Sequence, residues 1–266
     1  MTAVSAASKP ESAPFGAWWT TFFDETYASI GLVPRLGPHA DAMADGIVSL
    51  LALKPNERVF DQCCGIGRVA LPLARRGVSI EGVELAKSYV EVATSAAQAE
   101  KLPAEFFCAD AYSYIASKPC DAAINVFTSF GYSDDDGRNE QMLRRAFESL
   151  RPGGRFLLER VNPCWIVAFG LSPVGSRVTH PDGSETLLID EPEADWLRGT
   201  VRSTWSISFA DGRRETRRFE TRMYFPNELA AMAQRVGFTE LALYGGIAGV
   251  PYDRHSRRLV ITARRP

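Results

Sequence analysis

Residues Val59 to Arg68 read V-F-D-Q-C-C-G-I-G-R, and Glu84 closes the next apolar run. The spacing predicts a strand, a tight glycine loop, a helix and a second strand that ends in a carboxylate. Gly65 and Gly67 let the backbone approach a ligand where a Cβ would collide. The helix that follows turns its unsatisfied N–H groups toward whatever is bound. An acid about twenty residues beyond such a loop is placed to accept hydrogen bonds from both hydroxyls of a ribose. This is a unit that holds an adenosine-bearing cofactor, and two cofactor classes share it. Gly65, Gly67 and Ala70 satisfy the dinucleotide pattern G-x-G-x-x-A, which keeps a nicotinamide or flavin dinucleotide in play. Asp61, at the strand end before the loop, would repel a pyrophosphate. It suits a ligand that carries a positive charge.

The elements that must position these residues follow in order. Residues 1–14 are small and polar and read as a disordered tail. Phe15 to Ile30 is rich in aromatics at helical spacing and predicts a helix across the mouth of the domain, broken by Pro34 and Pro38. A second helix is expected from Ala40 to Leu51. Strands then alternate with helices: strand Val59–Asp61, helix Val69–Arg75, strand Val78–Val83, helix Ser88–Lys101, strands Glu105–Cys108 and Ala122–Phe127, helix Arg138–Leu150 and strand Arg155–Arg160. This spacing builds a doubly wound parallel α/β sheet with helices on both faces. Ligands bind outside the carboxyl ends of such strands. Asp61, Glu84, Asp110 and Val126–Phe127 all fall there. From about 161 to 224 the pattern changes. Pro181-Asp182-Gly183 and Asp211-Gly212-Arg213 are hairpin signals, and Thr204 to Phe209 alternates with period two. This predicts an antiparallel sheet inserted after the fifth strand. A helix opening at Pro226 and stopping at Gly237 precedes two last strands, Phe238–Tyr244 and Arg258–Ala263. The expected organisation is one domain over 15–266, with a helical lid at 15–52 and a substrate-covering insertion at 161–224.

Composition excludes several function classes. The chain has 266 residues, 45% hydrophobic and 23% charged, with a net charge of −2. These are the values of an ordinary soluble globule without a nucleic-acid footprint. The start of the chain shows no secretory signal, and the longest uncharged run, Val161 to Ser176, is too interrupted for a membrane span. Five cysteines without C-x-x-C spacing predict neither a disulfide framework nor a zinc site, which fits a cytoplasmic protein. His39, His180 and His255 form no metal-binding spacing, so no metal is expected.

Asp61 to Arg68 resembles D-x-G-C-G-x-G-R, motif I of the class I S-adenosylmethionine (SAM) methyltransferases. The resemblance extends over about Phe22 to Arg265. It is carried further by F-F-D-E-T-Y at 22–27, N-V-F-T-S-F-G-Y at 125–132, L-R-P-G-G-R-F-L-L-E-R at 150–160, R-M-Y-F-P-N-E-L at 222–229 and S-R-R-L-V-I-T-A-R at 256–264. It looks like the small-molecule branch of that family. The resemblance implies a seven-stranded sheet with SAM as cofactor and S-adenosylhomocysteine as product. Asp61, Cys63, Gly65 and Gly67 would surround the methionine end. Glu84 would hold the ribose, and Leu85 would pack on the adenine. Asp110 would bond the adenine amino group beside the Ala111 backbone, although a helix cap is its plainer role. Val126 and Phe127 would lie under the sulfonium. Cys63 stands where the family has glycine or alanine, so a positive φ there would cost about 1 kcal/mol. Ala86 replaces a common serine, which leaves the next helix without its cap.

Methyl transfer from SAM is an in-line displacement in which orientation supplies most of the acceleration. A protein base is needed only if the nucleophile arrives protonated. Tyr27, Tyr132 and His255 are the candidates. Arg160, Arg222 and Arg254 have the fork that suits a substrate carboxylate; Tyr224 and Tyr252 complete the acceptor-side set. The expected reaction is methyl transfer to a nitrogen or oxygen of a small molecule, by a monomer or homodimer. C-methylation, an NAD-dependent oxidoreductase and a non-catalytic SAM-binding regulator are the alternatives.

Overall fold

The computed structural model describes residues 16–266. The expected tail at 1–14, and Phe15, lie outside them. Seven strands form one sheet: β1 (Arg58–Gln62), β2 (Ser79–Glu84), β3 (Ala104–Cys108), β4 (Cys120–Asn125), β5 (Leu150–Val161), β10 (Thr239–Tyr244) and β11 (Arg258–Arg264). Their order is β10-β11-β5-β4-β1-β2-β3. Strands β1 to β5 pair in parallel, while β11 is antiparallel to both β5 and β10. The order reverses between β1 and β4, which opens a crevice at their carboxyl ends.

Four strands, β6 (Val174–Thr179), β7 (Glu185–Asp195), β8 (Thr200–Ser208) and β9 (Arg214–Arg222), form the antiparallel sheet expected after the fifth strand. Both hairpin signals sit at its turns. His180 N–H and Ser184 O close the first, and Phe209 N–H and Arg213 O the second.

Period-two burial gives the main sheet two apolar faces. Phe60, Ala123, Phe156 and Leu158 pack on one side with Met142 and Leu143 of helix α6 (Asp136–Ser149) and Leu229 and Met232 of α8 (Pro226–Val236). Val59, Ile80, Ile124 and Leu157 pack on the other with Ile47 of α3 (Pro38–Leu51) and Leu73 of α4 (Ala70–Arg75). Helix α5 (Lys87–Glu100) lies against β3 and has no side-chain cap at Ala86, as its sequence implies. No helix among the described residues is long and apolar enough to cross a membrane.

Three elements depart from expectation. The N-terminal segment is two short helices, α1 (Trp19–Phe22) and α2 (Glu25–Tyr27), instead of one. Asp24 interrupts them: its extended backbone and its carboxylate, which accepts from Tyr27 N–H, make it an N-cap. A wide π-helical turn over Ala28–Leu32 and a tight 3-10 turn over Val33–Arg35 then lead to α3. Pro38 opens that helix where the sequence reading had it only as a breaker; proline's fixed φ suits a first turn whose N–H is orphaned anyway. The insertion also begins with a helix the sequence reading lacked, α7 (Pro163–Phe169), capped by Asn162 Oδ1 accepting from Cys164 N–H.

Candidate active site

The loop after β1 makes the floor of a cleft at the strand ends. Cys63, Gly65 and Gly67 all have positive φ, at 59°, 58° and 79°. At Cys63 this costs about 1–2 kcal/mol relative to a relaxed backbone. The two glycines serve different ends. A Cβ on Gly65 would meet only Leu32 Cδ1 at 3.9 Å, so that face of the loop is open. A Cβ on Gly67 would press on Leu71 at 3.0 Å and Ala93 at 3.3 Å, so Gly67 lets α4 and α5 close together.

Glu84 ties the loop to β2. Its Oε2 accepts from Gly65 N–H at 3.1 Å, and its Oε1 accepts from Leu85 N–H at 2.8 Å and Ala86 N–H at 3.0 Å. Burial raises its pKa against these three bonds. Asp61 lies beside it, 1% exposed, and its Oδ1 has no hydrogen-bond partner among the described residues. Burial, and then the Glu84 charge, push the Asp61 pKa up to about 8, while Arg68 pulls it down. Burial likewise raises the Cys63 and Cys64 thiols well above their ordinary value, so both stay protonated.

The cleft measures about 990 Å³, including the space open to solvent at its mouth. Asp61, Cys63, Gly65, Glu84, Leu85, Asp110, Ala111, Val126, Phe127, Tyr27 and Tyr132 all line it. No helix follows Asp110 for it to cap; its Oδ1 accepts from Tyr112 N–H at 2.9 Å in a turn. Its other oxygen faces Arg138 at 3.7 Å. Tyr27 stacks on Trp205, with ring centroids 5.7 Å apart. Tyr132 packs among Trp18, Trp19 and Phe23. Burial raises the Tyr132 pKa well above that of an ordinary phenol, helped by Tyr27 and Cys63.

The remaining candidates stand away from the cleft. His255 is exposed, its ring 5.4 Å from Phe169 and its Nε2 accepting from Arg254 Nε. Arg254 is exposed beside it. Tyr252 donates to Asn162 Oδ1 at 2.6 Å. Arg160, Arg222 and Tyr224 form a cluster that fastens β5 to the insertion. Arg160 Nη2 donates to Arg222 O at 2.5 Å. Arg222 reaches Met223 O, Gly199 O and Glu228. Tyr224 donates to Asp136 Oδ1 and accepts from Asn139 Nδ2. Arg222 and Tyr224 thus spend polar atoms on closing the fold, whereas the Arg160 Nε and Nη1 are buried without a partner among the described residues; none of the three lines the cleft.

Other lining residues escaped the sequence reading. Arg68 places its guanidinium 3.3 Å from the Phe127 ring centroid. Tyr89 hangs its hydroxyl on Asp24 O at 2.6 Å. Trp19 and Phe23 also face the cleft. Their i, i+4 spacing, and the place of Arg68 directly after the glycine loop, were the available signals.

Sheet order, inserted sheet and cleft define one class: the chain has the class I, SAM-dependent methyltransferase fold. Residues 59–154 match the family described as methyltransferase domain. Among solved structures, the CcbJ methyltransferase from Streptomyces caelestis has a TM-score of 0.74 at 22% identity, covering 94% of this chain and 97% of that one. The sugar N-methyltransferase KedS8 from Streptoalloteichus has a TM-score of 0.71 at 17% identity, covering 100% and 99%. An S-adenosyl-L-methionine-dependent Diels-Alderase from Talaromyces variabilis is 32% identical over 123 residues, 45% of this chain and 41% of that protein. The chain thus spans less than half the length of this relative.

Proposed function

We propose that the protein transfers the methyl group of SAM to a nitrogen or oxygen of a small molecule and releases S-adenosylhomocysteine. The observation that carries this reading is Asp61, a buried acid on the cleft floor with an oxygen that nothing among the described residues satisfies. A buried acid held beside a second acid is costly until a cation arrives. An ammonium meets that need, and a pyrophosphate would worsen it.

The residues fit the cofactor. Asp61, Cys63 and Gly65 would hold its methionine end, with Gly67 shaping the loop. Glu84 would accept from the ribose hydroxyls, using lone pairs its backbone bonds leave over. Leu85, Asp110 and Ala111 would hold the adenine, with Val126 and Phe127 beside the sulfur. Bound SAM supplies an activated methyl group and a neutral leaving group. The aromatic walls exclude water and orient the acceptor. Tyr132 keeps its proton, so it serves as wall and donor and not as a base. This favours an acceptor whose lone pair is already available, a neutral amine above all. The fold shared with a sugar N-methyltransferase supports a small-molecule acceptor.

The test is calorimetric titration with S-adenosylhomocysteine, with NADH as control, followed by incubation of SAM with a panel of amines, alcohols and phenols. Binding of the first ligand only, and S-adenosylhomocysteine formed with a methylated product, is expected. NADH binding without S-adenosylhomocysteine binding would sink the reading. The Diels-Alderase match favours a second reading, in which the cleft holds SAM and acts on a bound molecule without consuming it. An isomeric product with SAM unchanged would establish that instead.

A further inference from the structure

Phe127 and Thr128, the two residues that turn the chain into the cleft after β4, both have left-handed backbones, with φ of 60° and 64°. Neither is glycine. Each such residue costs about 1–2 kcal/mol, so the surrounding structure must hold the pair. Glu159 of β5 does so. Its Oε2 accepts from Phe127 N–H at 2.8 Å, and its backbone carbonyl accepts from Thr128 N–H at 3.2 Å. Its other carboxylate oxygen is paired with Arg258 Nε of β11. Arg258 Nη2 also donates to Thr128 Oγ1 at 3.1 Å, and Val161 N–H donates to the same oxygen at 3.1 Å. Glu159 is only 2% exposed and does not line the cleft.

What this network fixes is a wall. The Phe127 ring, under the Arg68 guanidinium, lines the cleft on one side. The same two residues, with His39 and Met43, line a second hollow on the other. If the Phe127 backbone relaxed to an ordinary conformation, the ring would leave this partition.

We propose that Glu159 is a positioning residue for the cleft: its carboxylate, fixed by Arg258, holds Phe127 in the left-handed form, while Arg258 also holds the neighbouring Thr128, and so it sets the wall that cofactor and acceptor meet. Its effect on ligands rests on the cofactor reading above. The backbone it holds can be measured without any ligand. Glutamine in its place keeps an oxygen for the Phe127 N–H, whereas alanine removes it.

The experiment compares the full chain with Glu159→Ala, Glu159→Gln and Thr128→Val in two measurements. The first is hydrogen–deuterium exchange of the 126–130 segment without ligand. The second is calorimetric titration with S-adenosylhomocysteine. Exchange should quicken about tenfold in Glu159→Ala, the scale of one lost charge-assisted hydrogen bond. It should quicken in Thr128→Val as well, and stay near wild type in Glu159→Gln. Affinity should fall about tenfold in Glu159→Ala and largely return in Glu159→Gln. Unaltered exchange in Glu159→Ala, or equal weakening by alanine and glutamine, would overturn the proposal. Should Glu159→Ala not fold, Thr128→Val decides: unaltered exchange there has the same meaning. If the wild-type chain binds no S-adenosylhomocysteine, the cofactor reading fails, and the exchange data alone still decide whether Glu159 holds the wall.

Discussion

Asp61 and Glu84 come from the ends of neighbouring strands and share one buried floor, where burial first and the Glu84 charge second keep Asp61 protonated until a cation arrives. The sign of the pH effect follows from Asp61. Its pKa rises from 3.8 to about 8 on folding, through burial first and Glu84 second. Between those values the folded chain holds a proton that the unfolded chain has lost, so this group subtracts stability as pH rises from about 4 to about 8. Asp61→Asn should therefore flatten that part of the ligand-free melting-temperature profile. The same substitution should weaken SAM binding and remove its gain with pH toward 8; a variant that binds SAM like wild type at every pH would refute the ammonium role. Glu84→Ala has a different expected signature. Three backbone N–H groups depend on this carboxylate. The substitution should lower S-adenosylhomocysteine affinity about tenfold or more and also lower the melting temperature; unaltered affinity would remove Glu84 from the site. Both acids were legible because a strand end followed by a glycine loop admits few roles for a carboxylate. His255 and Arg254 were not, because whether a loop residue reaches a cleft depends on packing that no local spacing encodes.

At the level of elements, the N-terminal helices show how distant residues overrule local pattern. The aromatic spacing from Trp18 to Tyr27 reads as one helix, and the break at Asp24 is stabilised by Arg217, 193 residues along the chain. Arg217 on β9 reaches both Asp24 oxygens, at 2.7 and 2.8 Å, and also Phe22 O. This clamp joins the inserted sheet to the segment that carries Phe23 and Tyr27 over the cleft. Arg217→Ala should cost about 1 kcal/mol in urea denaturation, since Asp24 is partly exposed. The larger consequence should be faster release of S-adenosylhomocysteine in stopped-flow experiments, with wild-type release also quickening in high salt. Release unchanged in both would mean that the clamp does not govern the cleft mouth. The parallel strands and their helices were legible from hydrophobic alternation and glycine stops, and the two hairpins from their turn residues. Helix α7 was hidden because Asn162-Pro163 serves equally as a chain break and as a cap with proline in the first turn.

Across the whole molecule, the cleft is assembled from segments far apart in the chain: the N-terminal helices, the loop after β1, the ends of β2 and β3, and the turn after β4. Its cofactor half could be read from the sequence because Asp61, Glu84, Asp110 and Phe127 each end a strand of one parallel sheet, and a doubly wound topology brings such ends to one edge. The acceptor half could not. Arg160, Arg222 and Tyr224 have side chains suited to a substrate, but the inserted sheet must be fastened to the main one. Arg222 N–H donates to Gly131 O and Arg160 to Arg222 O across that seam. A ligand that bridges all the cleft segments must stabilise them together, because it binds only the closed arrangement. Hydrogen–deuterium exchange with and without S-adenosylhomocysteine should therefore show slowing in residues 19–32, 61–68 and 126–132 at once. The tip of the β6–β7 hairpin, where Pro181, Asp182 and Gly183 are exposed and take no part in the cleft, should stay unchanged. Slowing confined to 61–68 would mean that the N-terminal helices do not close on the cofactor. Slowing at the hairpin as well would mean that the ligand acts on the whole fold and not through these walls.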